Sequence, residues 1–393
     1  MNRRGVHDVA VVGAGMVGAA LSLRLADAGF DVAVIEAREP SPWTVQDDVD
    51  LRVVALAPSS VEFLNRVGAW STIASSRACA YTRMHVWDAT APGELTFDAK
   101  EQGDAALGFI VENRLIQSVL WNALAKANVT LRVPANVVST EADTDRRTLA
   151  FDNGTSISAR LVVAADGAES ALRKLAGIDV RERKYDQRAI VAHVTTERPH
   201  ESTAWQRFLP NATLAFLPLG DGRSSIVWSA QESDVERLLA LDDDAFCREL
   251  GVTFDFRLGR VTATTKRAAI PLRLLLAKRY TAPRLALVGD AAHVVHPLAG
   301  QGVNLGLRDA VELADALVGA RDAKRDIAAD FVLRRYERRR RSDNALSAYA
   351  FDTIQHVFGS ELLPIAAVRG AALSLVDRLP PLKKLFARHA AGR

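Results

Sequence analysis

Apolar runs that end at glycine turns alternate along this chain with stretches whose apolar positions recur at helical spacing. Residues 7–12 form an apolar strand, followed by Gly13-Ala14-Gly15-Met16-Val17-Gly18, a helical run over 19–28, and a strand over 31–35 that ends in Glu36. Residues 161–165 form another buried strand, entering Asp166-Gly167-Ala168-Glu169-Ser170. A third, 285–288, runs into Gly289-Asp290 and a loop of glycine and small residues. That loop opens a helix marked by Leu307, Val311, Ala314 and Leu317. Apolar strands that feed helices through tight turns predict an α/β body with a parallel sheet.

The pattern between these units is different. Residues 51–56 lead into a helix capped near Ser59, with Val61, Phe63, Leu64 and Val67 at helical spacing and a stop at Gly68. Strands are expected over 81–87 and 95–97 around Pro92-Gly93, and over 130–133, 148–151 and 156–158 around Asp152-Asn153-Gly154. Glu112-Asn113-Arg114 precedes a helix over 115–127. Residues 189–229 read mostly as strand, with helices following at 232–241 and 243–250. The implied organisation is a discontinuous Rossmann-like cofactor domain (1–77, 105–180 and 281–342), an interleaved β-rich substrate domain (78–104 and 181–280), and a C-terminal helical region (343–393).

The first unit is a dinucleotide fingerprint in its required strand–turn–helix–strand setting. Gly13 makes the turn, Gly15 admits a pyrophosphate, Gly18 lets helix pack on strand, and Glu36 stands about 20 residues on, where a ribose hydroxyl is held. This leaves NAD and FAD equally open. The loop after Asp290 sharpens the choice. An acid at a strand end, followed by small residues and a helix N-terminus, suits a ligand with hydroxyls and developing negative charge. Reduced flavin has both.

Composition narrows the classes. The chain has 393 residues, 49% apolar and 25% charged, with a net charge of +3, which does not by itself imply nucleic acid. Its two cysteines, Cys79 and Cys247, have no metal-ligand or redox spacing, so neither a metal site nor a disulfide is expected. The fingerprint strand starts within ten residues of Met1, which predicts a cytoplasmic protein without a leader. No apolar run reaches membrane-spanning length.

Together, Gly13-x-Gly15-x-x-Gly18, Ala165-Asp166-Gly167-Ala168-x-Ser170 and Gly289-Asp290-Ala291-Ala292-His293 resemble the motifs of the single-component FAD-dependent aromatic hydroxylases, which have the para-hydroxybenzoate hydroxylase fold. Within that group, His296-Pro297-Leu298-Ala299-Gly300-Gln301-Gly302-Val303-Asn304-Leu305-Gly306 is similar to the signature of the ubiquinone-biosynthesis hydroxylases (UbiH/UbiF/VisC). So are Glu112-Asn113-Arg114, the run Leu214-Ala215-Phe216-Leu217-Pro218-Leu219 ahead of Ser225-Ile226-Val227-Trp228-Ser229, and Leu333-Arg334-Arg335-Tyr336-Glu337-Arg338. The resemblance covers residues 6–345. With Arg257-Leu258-Gly259 it leans towards the UbiI-like branch, a 2-polyprenylphenol hydroxylase.

The resemblance implies FAD as cofactor, NAD(P)H as electron donor, molecular oxygen as co-substrate, and hydroxylation through a flavin C4a-hydroperoxide. Gly13, Gly15, Gly18 and Glu36 are then expected to hold the ADP half. Arg52, Arg114, Asp166 and Gly167 are further cofactor contacts, and Asp290 accepts from a ribityl hydroxyl. The backbone of Gly300, Gln301, Gly302, Val303 and Asn304 surrounds the flavin ring edge. His293, Pro297, Gly300 and Gln301 shape that catalytic loop; His293 and His296 are also proton-relay candidates, although shaping the loop suits an isolated His-x-x-His better. No residue stands out as the phenol's proton acceptor.

The implied substrate is a polyprenylated phenol or quinol. Residues 361–388 are apolar with a basic end, which suits either contact with an anionic membrane or packing on the core. The arginine-rich stretch 334–341 reads as a solvated helix face with Tyr336 turned inward, rather than a nucleic-acid patch. Protein partners in a biosynthetic complex are expected. Two competing readings remain: a hydroxylase of a soluble aromatic acid or secondary metabolite, which needs a cationic carboxylate clamp, and an FAD-containing scaffold without turnover.

Overall fold

A computed structural model describes residues 5–90, 93–295 and 302–359. The chain opens with β1 (Val6–Val12), α1 (Met16–Asp27) and β2 (Val32–Ile35). Next come β3 (Val53–Leu56), α2 (Pro58–Arg66) and α3 (Trp70–Ser76), then β4 (Cys79–Tyr81), β5 (Arg83–Asp88) and β6 (Glu94–Asp98). The short α4 (Ala99–Gln102), β7 (Gly108–Glu112) and α5 (Asn113–Lys126) return the chain to β8 (Val129–Arg132), β9 (Val137–Ala142), β10 (Arg147–Phe151), β11 (Ser156–Ala164) and α6 (Ala171–Leu175).

A long β12 (Val180–Thr196) starts the β-rich stretch, with β13 (Thr203–Leu209), β14 (Ala212–Pro218), β15 (Ser224–Gln231), α7 (Glu232–Ala240) and α8 (Asp243–Thr253). The chain closes with β16 (Val261–Thr264), β17 (Ala268–Ala277), β18 (Thr281–Ala282), β19 (Leu285–Leu287), a single 3-10 turn, β20 (His293–Val294), α9 (Gly302–Asp322) and α10 (Asp330–Gly359).

Three sheets result. In the first, β19, β11, β1, β2 and β8 run parallel in that order, with β9 and β10 as an antiparallel flap on β11. Its strands are continuous apolar runs because helices α1, α5 and α9 cover them, and Val9, Ala10, Val11, Val32, Val162 and Val163 are fully buried. The second sheet carries β12–β15 and β17 with β5, β6, β16 and β20. The third is small, β3-β7-β4.

The second sheet has two different faces, because successive strand residues point opposite ways. Ile190, Ala192, Phe216, Ile226 and Trp228 pack beneath α7 and α8. The alternate residues, Ala189 and Val191 of β12 with Ser225 and Val227 of β15, turn towards the first sheet. The expected strands at 156–158 and 161–165 are one strand, β11, and β9 has no counterpart in the sequence reading. The N-cap of α2 is Ala57, without a side-chain cap of its own, so the expected cap near Ser59 does not form. Among the described residues, no helix is long and apolar enough to cross a membrane.

Candidate active site

A cavity of about 390 Å³ lies between the two large sheets, within the size range of small-molecule sites. One wall is built from turns: Gly15 to Val17, Ala165 and Gly167, Val288 to Asp290, and Gly302, Val303 and Gly306. The other is the apolar sheet face, with Ala189, Val191, Val227, Ile270 and Leu272. Segments far apart in sequence therefore converge on one space.

The fingerprint turn is built by exclusion. Gly13 has φ +102°, and a Cβ there would lie 2.3 Å from the Ala165 carbonyl oxygen. A Cβ on Gly18 would lie 1.9 Å from the Gly13 oxygen, so only glycine lets α1 seat this closely on β1 and β11. Gly15 is the opposite case: a Cβ there meets nothing and would project into open space, as would one on Gly167 or Gly302. Gly15 also caps α1 without a side-chain hydrogen bond, leaving the first-turn N–H groups to a ligand. Glu36 sits beside this turn, accepting from the Ala14 N–H at 2.6 Å.

At the other end, Asp290 lines the cavity and accepts no hydrogen bond from the described residues. Surrounding protein raises its pKa, opposed by His293, Arg52 and Arg273. Its side chain is exposed to the cavity, so the carboxylate is reachable by a ligand. Asn113 also lines the cavity with a buried Oδ1 that has no partner. Arg52 lines it too, and its guanidinium has no paired carboxylate among the described residues, whereas Arg273 is tied to Glu169 at 2.6 Å.

Beneath Asp290 lies a buried polar network. Asp309 is fully buried and takes four donors: the Gly289 N–H (3.0 Å) and His293 Nε2 (2.6 Å) on one oxygen, Arg340 Nε (2.8 Å) and Asn344 Nδ2 (3.0 Å) on the other. Burial alone would raise its pKa, but His293 and Arg340 hold it below the usual carboxylate range. Arg340 continues to Asp343 at 2.6 Å and to Asn344 at 2.6 Å, and its pKa is raised by these carboxylates against burial. Tyr336 donates to the Leu287 carbonyl at 2.7 Å. The helix face read from sequence as solvated therefore divides. Arg334, Arg339 and Arg341 are exposed, but Arg340 is 7% exposed and anchors the turn around Asp290. Tyr336, Arg340 and Asn344 share one face at steps of four, the signal that identifies Arg340 in retrospect.

Other expected contacts have different surroundings. Asn304 is buried and faces away from the cavity: its Oδ1 accepts from the Ala57 N–H (2.9 Å) and Ser60 Oγ (2.7 Å), and its Nδ2 donates to the Ala55 carbonyl (2.8 Å). It supplies the cap that α2 lacks. Arg114 pairs with Asp47, and buried Glu112 collects the Asp50 N–H, Trp43 and Arg77, so this motif ties down the 43–50 loop. Asp166 accepts from Ser170 Oγ (2.5 Å) and the Leu172 N–H (3.2 Å), which organises its own turn. Arg173, which no sequence motif marks, is buried there and links the Ala168 and Ala291 carbonyls at 2.8 and 2.9 Å. His296, Pro297, Gly300 and Gln301 lie outside the described residues, as does the apolar-basic tail beyond residue 359.

These features fit a dinucleotide whose pyrophosphate meets the start of α1 and whose far end meets Asp290 and the start of α9. The fold is that of the flavin-dependent monooxygenases. It superposes on p-nitrophenol 4-monooxygenase PnpA from Pseudomonas putida DLL-E4 with a TM-score of 0.76 at 20% identity, covering 97% of this chain and 96% of that one. It also matches Klebsiella pneumoniae HpxO complexed with FAD and uric acid, with a TM-score of 0.73 at 20% identity over 97% of each chain.

The chain belongs to the FAD binding domain family, whose profile matches residues 6–346, and within it to the ubiquinone-biosynthesis hydroxylases. It is 39% identical to the 3-demethoxyubiquinol 3-hydroxylase of Escherichia coli (strain K12), covering 98% of both chains. It is 38% identical to ubiquinone hydroxylase UbiL of Rhodospirillum rubrum, covering 98% of this chain and 90% of that one. The protein is an FAD-dependent monooxygenase that uses oxygen and a reduced nicotinamide donor.

Proposed function

We propose that the protein hydroxylates the aromatic ring of a polyprenylated phenol or quinol in ubiquinone biosynthesis. The observation that carries this is the sheet wall of the cavity: Ala189, Val191, Val227, Ile270 and Leu272 make it apolar, and its one cation, Arg273, is neutralised by Glu169. Such a wall accepts a ring with a hydrocarbon chain. Among the described residues, that wall has no unpaired cation to clamp the carboxylate of a soluble aromatic acid; Arg52, which lines the cavity unpaired, is assigned to the cofactor.

Bound FAD supplies the oxygen-transfer chemistry. The chain's residues supply position, charge and dryness. Gly13, Gly15, Gly18 and Glu36 hold the ADP half at the start of α1, with Gly167 open to the cofactor. Asp290 takes a ribityl hydroxyl and Arg52 faces the anionic part of the cofactor. The α9 N-terminus at Gly302 and Val303, which line the cavity, would favour the negative charge that bound FAD takes up when reduced. Asp309 and His293 keep the turn that carries Asp290 in place. The apolar wall excludes water, which protects oxygen transfer from wasteful hydrolysis. The cofactor and substrate halves follow the first and second sheets. The protein works at the membrane that holds its substrate, with other biosynthetic proteins as partners.

Complementation of bacterial mutants blocked at each ring hydroxylation tests this. Restored ubiquinone in one strain assigns the ring position, separating the 2-polyprenylphenol from the 3-demethoxyubiquinol position. No rescue in any strain, with a soluble aromatic acid hydroxylated instead, would overturn it.

A further inference from the structure

Among the described residues, the sheet face carries one uncharged polar side chain into the cavity beside the Glu169-paired Arg273, and a second uncharged one stands next to it. Ser225 lines the cavity, is fully buried, and its Oγ has no hydrogen-bond partner. Directly across the strand pair, in register, is His193 of β12. Opposed residues on antiparallel strands share a face, with Cβ atoms about 5 Å apart. His193 is 1% exposed, and its Nδ1 is buried without a partner.

The histidine's tautomer follows from its ring hydrogen bond. His193 Nε2 lies 3.1 Å from the carbonyl oxygen of Asp50. A carbonyl only accepts, so Nε2 carries the hydrogen, and in the neutral ring Nδ1 is then a bare lone pair. The neutral ring thus leaves Nδ1 open as an acceptor, and the N–H formed there on charging would have Ser225 Oγ as its neighbour across the strand pair. Burial lowers the His193 pKa. The groups that face it are the Asp50 and Val49 carbonyls and the Asp221 carboxylate, which favour the charged ring, and Arg223, which opposes it. Thr265 Oγ1 accepts from the His193 backbone N–H at 3.0 Å and fixes the strand.

We propose that Ser225 and His193 are the proton acceptor for the phenol of the substrate, with Ser225 Oγ receiving the phenol proton as its own passes to His193 Nδ1. The product of that transfer is a phenolate and an imidazolium, held by the Asp50 carbonyl and Asp221; the proton returns to the product oxygen before release. No other charge or atom is exchanged. A phenolate is the more electron-rich ring, and electrophilic hydroxylation needs that density. Ser225 Oγ and His193 Nδ1 are not hydrogen-bonded to each other in this structure, so the relay requires rotation of the Ser225 side chain; Ser225 then contacts the ring hydroxyl and His193 acts through it. This rests on the phenol-hydroxylase reading above.

The test uses FAD-loaded wild type, Ser225→Ala and His193→Gln. Ser225→Ala removes a hydroxyl that has no partner, so it keeps the fold. With a short-chain prenylphenol, both variants are expected to hydroxylate about 10²-fold more slowly near neutrality, the lower end of general-base effects. Their rates should climb towards the phenol's own ionisation near pH 10, whereas the wild-type rate should be level across neutrality. A ring-fluorinated analogue, already ionised near neutrality, should restore both variants. Unchanged pH profiles in both variants, or no rescue by the fluorinated ring, overturn the proposal. A prenylated nitrophenol gives a readout without turnover: wild type should lower its apparent pKa on binding, and the variants should not. If wild type binds it as phenolate but hydroxylates no prenylphenol, the substrate assignment fails while the acceptor stands; if binding leaves the probe's pKa unchanged, the acceptor fails.

Discussion

Replacing Asp309 by alanine removes the acceptor for four donors at once, in a site with no access to water. Arg340 keeps Asp343 and Asn344, but its Nε and the His293 ring lose their partner inside protein. Breaking a buried pair from one side costs about 3–5 kcal/mol, because the remaining charge is stranded. The exposed pair Arg339–Glu312, 2.6 Å apart on the same two helices, is the control: Arg339→Ala should cost less than about 1 kcal/mol. Urea unfolding of the FAD-loaded protein measures both, with flavin fluorescence reporting release. Asp309→Ala should release flavin before the far-UV signal unfolds, because Gly289 and His293 flank Asp290. The double variant Asp309→Ala/Arg340→Met should lose less than the sum of the two single variants.

The same carboxylate sets a pH dependence. Its pKa is depressed on folding, so its contribution is present above its unfolded value of about 3.9 and is lost as pH falls below that towards the native value. Wild type should therefore lose stability more steeply than Asp309→Asn below about pH 4. An Asp309→Ala protein within about 1 kcal/mol of wild type that also holds its flavin would refute the reasoning.

Three further outcomes are expected. Gly13→Ala and Gly18→Ala should prevent accumulation of folded protein, whereas Gly15→Val should fold and lose FAD by about tenfold or more, about 1.4 kcal/mol of binding, read as flavin content after purification. Asn304→Ala should cost about 2–4 kcal/mol for three lost hydrogen bonds, two of them leaving buried groups of the α2 start unpaired, as measured by thermal denaturation. Val227→Phe should retain flavin but convert NAD(P)H oxidation from product formation to peroxide release, because the ring it inserts occupies the sheet side of the cavity.

The parts of the fold legible in sequence are those whose signal is local. The Gly13–Gly18 turn is fixed by contacts within the turn and with Ala165 and Asp166 just after β11, and its glycine spacing is legible in the sequence. Residues 189–229 declare themselves by alternation. β11 reads as two pieces because Arg160 interrupts its apolar run; the structure gives that arginine to Asp8 and Asp326, which no local pattern contains. β9 has a polar, mostly exposed sequence and exists through its pairing with β10, a context that strand propensity does not encode. Asp309 and Arg340 are 31 residues apart on two helices, and only the step-of-four spacing with Tyr336 and Asn344 sets this arginine apart from its exposed neighbours. Ser225 and His193 are 32 residues apart by number and meet only through strand register.

That last pair indicates where site information resides in this architecture. The cofactor side is written in turns, where backbone sterics force particular residues and leave motifs. The substrate side is written in one face of a sheet, where any apolar residue packs and the chemistry is carried by the few positions that are not apolar. β20 joins the two: His293 and Val294 pair with Leu276 and Leu275 of β17, while the His293 ring reaches Asp309. The turn bearing Asp290 is thus held from the first body through Asp309 and from the substrate sheet through β17. A shift of the sheet face on filling must move that turn or break one of the two grips. The turn bearing Asp290 is therefore tied to the sheet that forms the apolar wall through His293 and Val294, which themselves line the cavity.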